Sequence, residues 1–236
     1  TRLSASADRS TLYYSRFGVT GRDRIWKDLC RVSLSDGRVE KLADGCRYLY
    51  PAVSSDGQTL VAVRVEGGRQ VLLAVLLAQA GERAAERVLI AHGPGTALVE
   101  PVFAPDGQSV VVVESAEDHS ALVACDLAGG GRRNLLEWDC LIVSPTFAPD
   151  GQSLVFSADR TGVYNLYRLP AAGGAEPTPL THVVGGVFDA AFSPDGRWLA
   201  AVAYDAYGPY LTKLDLETTP APAAPLPALS PAWQPL

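Results

Sequence analysis

The residue types that most often carry chemistry are few in this sequence and widely spaced. The three histidines, His92, His119 and His182, are 27 and 63 residues apart with no His-Glu-x-x-His pattern, so no zinc site is predicted. The Gly-x-Ser-x-Gly pattern of hydrolase nucleophiles is also absent. The glycine run at 128–131 lacks the Lys-Ser/Thr of a phosphate-binding loop and is interpreted as a turn. We therefore predict no catalytic residue, no metal site and no cofactor.

Five copies of one turn-centred pattern account for most of the chain. They read "SASADRSTLYYSR", "PAVSSDGQTLVAV", "PVFAPDGQSVVVV", "PTFAPDGQSLVFS" and "AAFSPDGRWLAAV", and their turn aspartates are 48, 50, 44 and 45 residues apart. An Asp side chain can bond its own backbone and Gly accepts positive φ, so each Asp-Gly pair predicts a tight turn. The predicted turn pairs are Asp56-Gly57, Asp106-Gly107, Asp150-Gly151 and Asp195-Gly196.

The segments between the turns predict the fold. Each turn is followed by runs of β-branched and aromatic residues bounded by Gly, Pro, Asn and Asp, which indicate strands. Four antiparallel strands every 44–50 residues is the period of an all-β propeller built from four-stranded blades. We predict one propeller domain over residues 1–236. Its predicted blades are about 1–49, 50–99, 100–143, 144–187 and 188–229, with 230–236 as the inner strand of a further blade.

Two points about this fold stay open in the sequence. Five full repeats and a sixth start are either most of a six-bladed ring or a slice of a larger one. Residues 70–93 are rich in Ala, Leu, Gln, Glu and Arg and favour a helix by composition alone. Because packing between blades outweighs a weak local propensity, we predict strands there.

Composition excludes some partners. The formal net charge is -6, which argues against nucleic acid and anionic membranes because both select basic surfaces. The longest apolar run, 71–78, has 8 residues, whereas a membrane-spanning helix needs about 20. We predict a protein or peptide partner, no nucleic acid and no membrane insertion.

The sequence suggests two places that bind a partner. The residues just before the Pro of each inner strand, or its equivalent, are Tyr50, Glu100, Ser144 and Asp189, and we expect them to line one mouth of the propeller channel. A solvated rim is the alternative. The predicted long loop 16–28 contains Arg22, Arg24 and Trp26, a composition typical of interface hot spots. Trp26 packed between blades is the alternative.

The four cysteines occur at repeated spacings. Cys46 and Cys140 each lie 10 residues before a turn Asp, and Cys30 and Cys125 precede them by 16 and 15 residues. This pattern suggests Cys30–Cys46 and Cys125–Cys140 disulfides in an oxidising compartment. The alternative is four small buried thiols, because hairpin pairing places residue 43 opposite Cys30.

These repeats resemble the TolB-type propeller family, also described as WD40-like PD repeats. That family carries Ser-Pro-Asp-Gly turns with an aromatic residue three positions before the Asp, a position held here by Phe103, Phe147, Phe192 and Trp233. The segment "SADRTGVYNLYRLP" (157–170) is similar to the family's second-to-third-strand stretch. The resemblance implies a non-enzymatic bacterial envelope protein, periplasmic or extracellular, that binds other proteins. The alternative is a substrate-gating propeller domain of a larger peptidase.

Overall fold

The computed structural model describes residues 3–20, 24–43, 47–77, 85–128 and 131–217. Within these ranges the chain forms five β-sheets and no helix. We call the sheets blades 1 to 5 in chain order.

The strands of each blade follow one another along the chain. Blade 1 contains β1 (Leu3–Ala5), β2 (Thr11–Thr20), β3 (Arg24–Ser33) and β4 (Val39–Ala43). Blade 2 contains β5 (Arg47–Val53), β6 (Thr59–Glu66), β7 (Arg69–Leu76) and β8 (Glu86–His92). Blade 3 contains β9 (Ala97–Phe103), β10 (Ser109–Ser115), β11 (Ser120–Asp126) and β12 (Arg132–Trp138). Blade 4 contains β13 (Ile142–Phe147), β14 (Ser153–Ala158), β15 (Asn165–Pro170) and β16 (Thr178–Pro179). Blade 5 contains β17 (Val187–Phe192), β18 (Trp198–Asp205) and β19 (Gly208–Asp215).

This architecture confirms the predicted all-β blades. Blades 1 to 4 are four-stranded, and in every blade neighbouring strands in the sheet are also neighbours in sequence. The segment whose composition favoured a helix contains β7 and β8, which pair antiparallel from Gln70↔His92 to Val75↔Glu86. Pairing between strands therefore overrides the local helix propensity, as the spacing of the repeats predicted.

The Asp-Gly turns connect the first two strands of each blade. In blade 2 the Gln58 N–H donates to Asp56 Oδ1 at 2.9 Å and the Gly57 N–H donates to the Ser54 carbonyl at 3.0 Å. Gly57 has φ +70°, a conformation that costs Gly little. The corresponding Asp-Gly pairs of blades 3, 4 and 5 make the same two bonds. The degenerate first copy keeps the geometry with Arg9 at φ 55° in the Gly position.

The chain divides into two compact units, each with its own core. The first comprises residues 1–117 and 122–134, and the second comprises 118–121 and 135–236. A core cluster in the first unit joins Tyr13 and Leu29 of blade 1 to Tyr48, Leu60 and Leu73 of blade 2. Leu60 and Leu73 each lie in a run of four buried residues, 60–63 and 72–75. Both faces of the two middle strands of blade 2 are therefore covered, which explains why these strands are continuous apolar runs in the sequence.

In the second unit the equivalent cluster lies between blades 4 and 5. Val155 and Leu166 of blade 4 pack with Val187, Leu199 and Ala201 of blade 5. Trp138 adds an aromatic group whose ring centroid lies 5.6 Å from Phe156 and 5.1 Å from Tyr167. Stacked blades therefore bury the faces that a single four-stranded sheet would leave in water.

The last blade presents its far face to solvent. Leu166 of blade 4 is buried, whereas Leu211, the residue 45 positions later in the same place of the repeat, is 82% exposed. The two leucines have the same register, since Leu166 pairs with Ser157 and Leu211 with Val202. The apolar pattern on this face of blade 5 is thus that of an interface between blades.

Candidate functional site

The inner strands of blades 2 to 5 share a bulge, and the four predicted channel-mouth residues lie in it. The pairing register of the first two strands shifts between Leu49 and Ala52 in blade 2, and at the equivalent place in blades 3, 4 and 5. At these shifts Tyr50, Glu100, Ser144 and Asp189 adopt φ values of 50°, 53°, 53° and 51°. A left-handed conformation is uncommon for non-glycine residues and unfavourable for one as bulky as Tyr. We call these four the bulge residues.

The residue after each bulge residue explains part of this geometry. Pro51, Pro101 and Pro145 have no N–H to donate to the neighbouring strand, and a bulge is one of the few places where a strand accepts proline. Asp189 adopts the same angle before Ala190, so proline is not required for it. A bulge redirects the side chain of the extra residue, and this device is over-represented next to functional sites.

In the second unit the bulge residues of blades 4 and 5 contact each other. Ser144 Oγ donates to Asp189 Oδ1 at 2.6 Å. Ser144 is buried while Asp189 is exposed, so one oxygen of the carboxylate is anchored and the group as a whole faces solvent. The arrangement can accept hydrogen bonds from a cationic group.

In the first unit Tyr50 and Glu100 occupy the corresponding positions on β5 and β9. Both side chains are half-buried. The two inner strands are neighbours that contact each other. The corresponding positions of this unit therefore hold a carboxylate and, in place of the serine, a phenol.

The second predicted site is only partly within the described residues, and its loop was wrongly predicted. Arg22 lies outside them. Arg24 and Trp26 lie on β3, which pairs with β2 from Thr11↔Ser33 to Thr20↔Arg24. The predicted loop 16–28 is therefore mostly a long hairpin, because the apolar residues at 17, 19 and 25 continue the strand pattern across it.

The predicted Cys125–Cys140 disulfide is absent, since both cysteines carry free thiols. Cys125 Sγ lies 4.0 Å from the Leu89 carbonyl oxygen, while burial and the charge of Asp159 raise the pKa of Cys140 to about 11. The reason is local, because the hairpin closes at Asp126 and the extended strand β12 then precedes Cys140. At about 3.3 Å per residue that strand exceeds the reach of a disulfide. Cys30 is also a free, buried thiol, and Cys46 lies outside the described residues.

The sequence did not predict an ionic cluster around a buried carboxylate in the first unit. Glu114 on β10 is 7% exposed, and its Oε2 accepts a hydrogen bond from Arg132 Nη2 at 2.5 Å. Its Oε1 lies 3.0 Å from His92 Nε2 at the end of β8, although the two atoms are not aligned for a hydrogen bond. The cluster compensates a buried carboxylate and links blade 2 to blade 3. No local motif signals it, because its members come from three strands.

The described residues were compared with two further kinds of site, a metal site and a membrane-spanning helix. Among them no group of three or more His, Cys, Asp or Glu side chains is arranged to hold a metal ion. The same residues contain no helix long and apolar enough to cross a membrane.

The family assignment comes from a comparison with family models. The TolB β-propeller domain model, PD40, matches residues 31–222. The chain belongs to the TolB β-propeller family. This match confirms the resemblance that the Asp-Gly turns suggested. The matched residues 31–222 begin in blade 1 and extend through blade 5.

Solved structures agree with this assignment at the level of fold. TolB from Acinetobacter baumannii is 16% identical with a TM-score of 0.73, over 91% of this chain and 51% of that one. A putative TolB from Agrobacterium tumefaciens is 21% identical with a TM-score of 0.72, over 91% and 76%. A puromycin-hydrolyzing peptidase of Mycobacterium tuberculosis is 21% identical with a TM-score of 0.66, over 89% and 36%. The chain thus spans about half the length of the first TolB protein. The comparison with curated proteins gave no match.

Proposed function

We propose that this TolB-like propeller is a non-enzymatic scaffold that binds a protein or peptide partner in the bacterial periplasm or at the cell surface. The observation that carries the proposal is the contrast between turn and bulge. The turns have the same residue type in blades 2 to 5, with Asp at 56, 106, 150 and 195. The bulges have the same left-handed backbone angle in these blades, but their residue types differ and are Tyr, Glu, Ser and Asp. A backbone held constant under differing side chains suits recognition better than structural support.

A site-specific crosslinking experiment tests this proposal. A photo-crosslinking amino acid is placed at residue 100 or 189, and at residue 88 as a control on the exposed outer strand β8. We expect one discrete crosslinked partner in envelope extracts from positions 100 and 189, and none from 88. The partner's affinity should fall on Glu100→Gln or Asp189→Asn. Equal crosslinking from all three positions, or from none, would contradict a binding role for the bulge residues.

The alternative is a substrate-gating propeller domain of a larger peptidase. It is favoured by the likeness to the Mycobacterium tuberculosis peptidase, of which this chain covers 36%. The mass of the native gene product separates the two proposals, since this chain accounts for 25.0 kDa. A longer product that reacts with a serine-hydrolase probe would support the alternative. For this chain alone we expect no peptide hydrolysis, and turnover that is lost on Glu100→Gln or Asp189→Asn would refute the non-enzymatic proposal.

We also infer that a sixth blade covers the face of blade 5 that carries Leu211, with residues 230–236, which lie outside the described residues, as its first strand. The support is the exposed Leu211 in a position that blade 4 buries against the next blade. Truncation after residue 217 tests the inference. A covering strand predicts that truncation lowers the melting temperature, and that Leu211→Ser is then better tolerated in the truncated chain than in the full one. An unchanged melting temperature would refute it.

A further inference from the structure

The Asp-Gly turns between the first two strands of blades 2 to 5 share one backbone geometry. They are Asp56-Gly57, Asp106-Gly107, Asp150-Gly151 and Asp195-Gly196, and their glycines have φ values of 70°, 68°, 70° and 71°. In each turn the Gly N–H donates to the carbonyl three residues earlier at 2.9 to 3.0 Å. Each turn Asp is exposed. Any difference in reactivity between these turns therefore comes from their side chains.

One side chain divides the four turns into two pairs. The residue two positions before each Asp is buried in all of them and is, in chain order, Ser54, Ala104, Ala148 and Ser193. Ser54 Oγ donates to Asp56 Oδ1 at 2.5 Å, and Ser193 Oγ donates to Asp195 Oδ1 at 2.6 Å. Alanine has no hydroxyl, so the turn carboxylates of blades 3 and 4 do not receive this hydrogen bond.

An Asp-Gly pair can react with its own backbone. The Gly amide nitrogen attacks Asp Cγ and forms a C–N bond, while the carboxyl hydroxyl leaves with the amide proton as water. The product is a five-membered succinimide ring. Water then opens the ring at either carbonyl, which restores Asp or gives isoaspartate, whose main chain runs through the former side chain. Glycine favours the attack because it has no Cβ to obstruct it.

The serine hydroxyl opposes this reaction in two ways. The reactive form is the protonated carboxyl, because a carboxylate has no good leaving group. A hydroxyl that donates to the carboxylate stabilises the ionised form instead. Accordingly Ser54 is the largest cause of the lowered pKa of Asp56, and Ser193 is the largest cause of the lowered pKa of Asp195. The same bond holds Oδ1 and so restricts rotation of the carboxyl group toward the Gly nitrogen.

The residues on either side of the turn do not separate the two pairs. Pro precedes the turn Asp in blades 3 and 4 but also in blade 5, and Gln follows the Gly in blades 2, 3 and 4. The fifth Asp-Gly pair of the chain, Asp36-Gly37, lies in a different turn, between β3 and β4. There the Arg38 N–H and the Ser33 hydroxyl lower the pKa of the Asp36 carboxyl. The hydroxyl is therefore the feature that distinguishes the turns of blades 3 and 4.

We propose that Asp106 and Asp150 are modification sites at which the folded protein converts Asp to isoaspartate, and that the serine hydroxyl protects Asp56 and Asp195. The only co-reactant is water. The product has an extra main-chain carbon inside a tight turn, and its carboxylate no longer accepts the N–H two residues on. The modification therefore loosens the connection between the first two strands of blades 3 and 4. This inference does not depend on the proposed binding function.

Peptide mass spectrometry tests the proposal on the purified, folded chain. The protein is incubated in mildly acidic buffer at physiological temperature, and electron-transfer fragmentation of its peptides quantifies isoaspartate at each of the four turns. Labelling by an isoaspartyl-specific methyltransferase gives an independent total. We expect isoaspartate to accumulate at residues 106 and 150 about fivefold or more faster than at residues 56 and 195, the ratio that one hydrogen bond of ordinary net strength provides.

Reciprocal variants at equivalent positions assign the effect to the hydroxyl. Ala104→Ser should slow conversion at residue 106 to the rate of residue 56, whereas Ser54→Ala should speed conversion at residue 56 to the rate of residue 106. Circular dichroism confirms that both variants are folded. Short synthetic peptides of the four turn sequences are the matched control. They should convert at similar rates, because the hydroxyl acts only when the turn is formed.

Four results would overturn the proposal. One is an equal rate at all four turns of the folded chain, and another is an unchanged rate at residue 106 in the Ala104→Ser variant. The third is the same ranking in the peptides as in the folded chain, which would assign the difference to sequence and not to structure. The last is an absence of isoaspartate at residues 106 and 150 over a period in which the peptides convert.

Discussion

The positive φ of Glu100 gives a stability prediction whose sign depends on the backbone alone. Glu100→Ala and Glu100→Gly remove the same carboxylate and differ only in how well the new residue accepts φ 53°. A left-handed conformation costs an L-residue about 1–2 kcal/mol, whereas Gly adopts it freely. Gly carries an entropic cost of about 0.5–1 kcal/mol relative to Ala in regular structure. We therefore expect Glu100→Gly to be more stable than Glu100→Ala by about 1 kcal/mol.

The matched control is Val88, which is exposed on β8. Here the same comparison should reverse, with Val88→Gly less stable than Val88→Ala by about 0.5–1 kcal/mol. For a chain of 236 residues, each kcal/mol corresponds to about 2–4 °C in melting temperature. Calorimetry therefore resolves the four variants. If Ala is as stable as Gly at residue 100, the bulge does not hold the strained angle and the reasoning from backbone geometry is wrong.

Three further predictions concern ionisation. The Ser193 hydroxyl is the largest cause of the lowered pKa of Asp195, so Ser193→Ala should raise that pKa in an NMR titration. The stabilisation from a lowered carboxyl pKa is complete above the ordinary Asp pKa and is lost as pH falls through the lowered value, so the stability difference between the two proteins should shrink in acid. Burial raises the pKa of Cys140 to about 11, so native protein at pH 8 should resist iodoacetamide at this residue, and complete labelling without denaturant would contradict it. The hydrogen bond to Asp118 raises the pKa of His119, so Asp118→Asn should lower the His119 pKa in an NMR titration. The pair stabilises the fold fully below the ordinary His pKa, and this stabilisation is lost as pH rises through the raised pKa of His119.

The parts of the fold that follow from local chemistry could be predicted from the sequence. An Asp-Gly pair flanked by alternating apolar residues specifies a turn between strands, and Asp56 and Asp195 make the predicted backbone bonds. The period of 44–50 residues between such turns then sets the number of strands in a blade. These signals are short-range, so one sequence suffices.

The details that depend on pairing between distant strands could not be predicted. Cys125 and Cys140 match Cys30 and Cys46 in spacing, yet spacing says nothing about which end of a hairpin a side chain occupies. Gly18 shows the same limit. A Cβ there would lie 2.2 Å from the buried Asp28 Oδ2, and nothing local to Gly18 signals that carboxylate on the opposite strand. The repeat pattern located the bulge residues, three before Pro and Asp189 before Ala190, but it did not indicate their left-handed angle, which occurs at the register shift.

Asp189 shows how a bulge fixes a charged group at the edge of a blade. Its Oδ1 accepts a hydrogen bond from the Ser144 hydroxyl, so one carboxylate oxygen is tied to the neighbouring blade while the residue as a whole is exposed. The left-handed backbone angle is the same in Ser144 and Asp189, so the register shifts of two neighbouring blades bring the two side chains together. In the proposed function a partner that places a cation on Asp189 meets an anion whose position the fold has already set. Charge of this kind sets the orientation and register of a bound segment more than its total affinity, and Asp189→Asn should therefore reduce selectivity for a cationic partner.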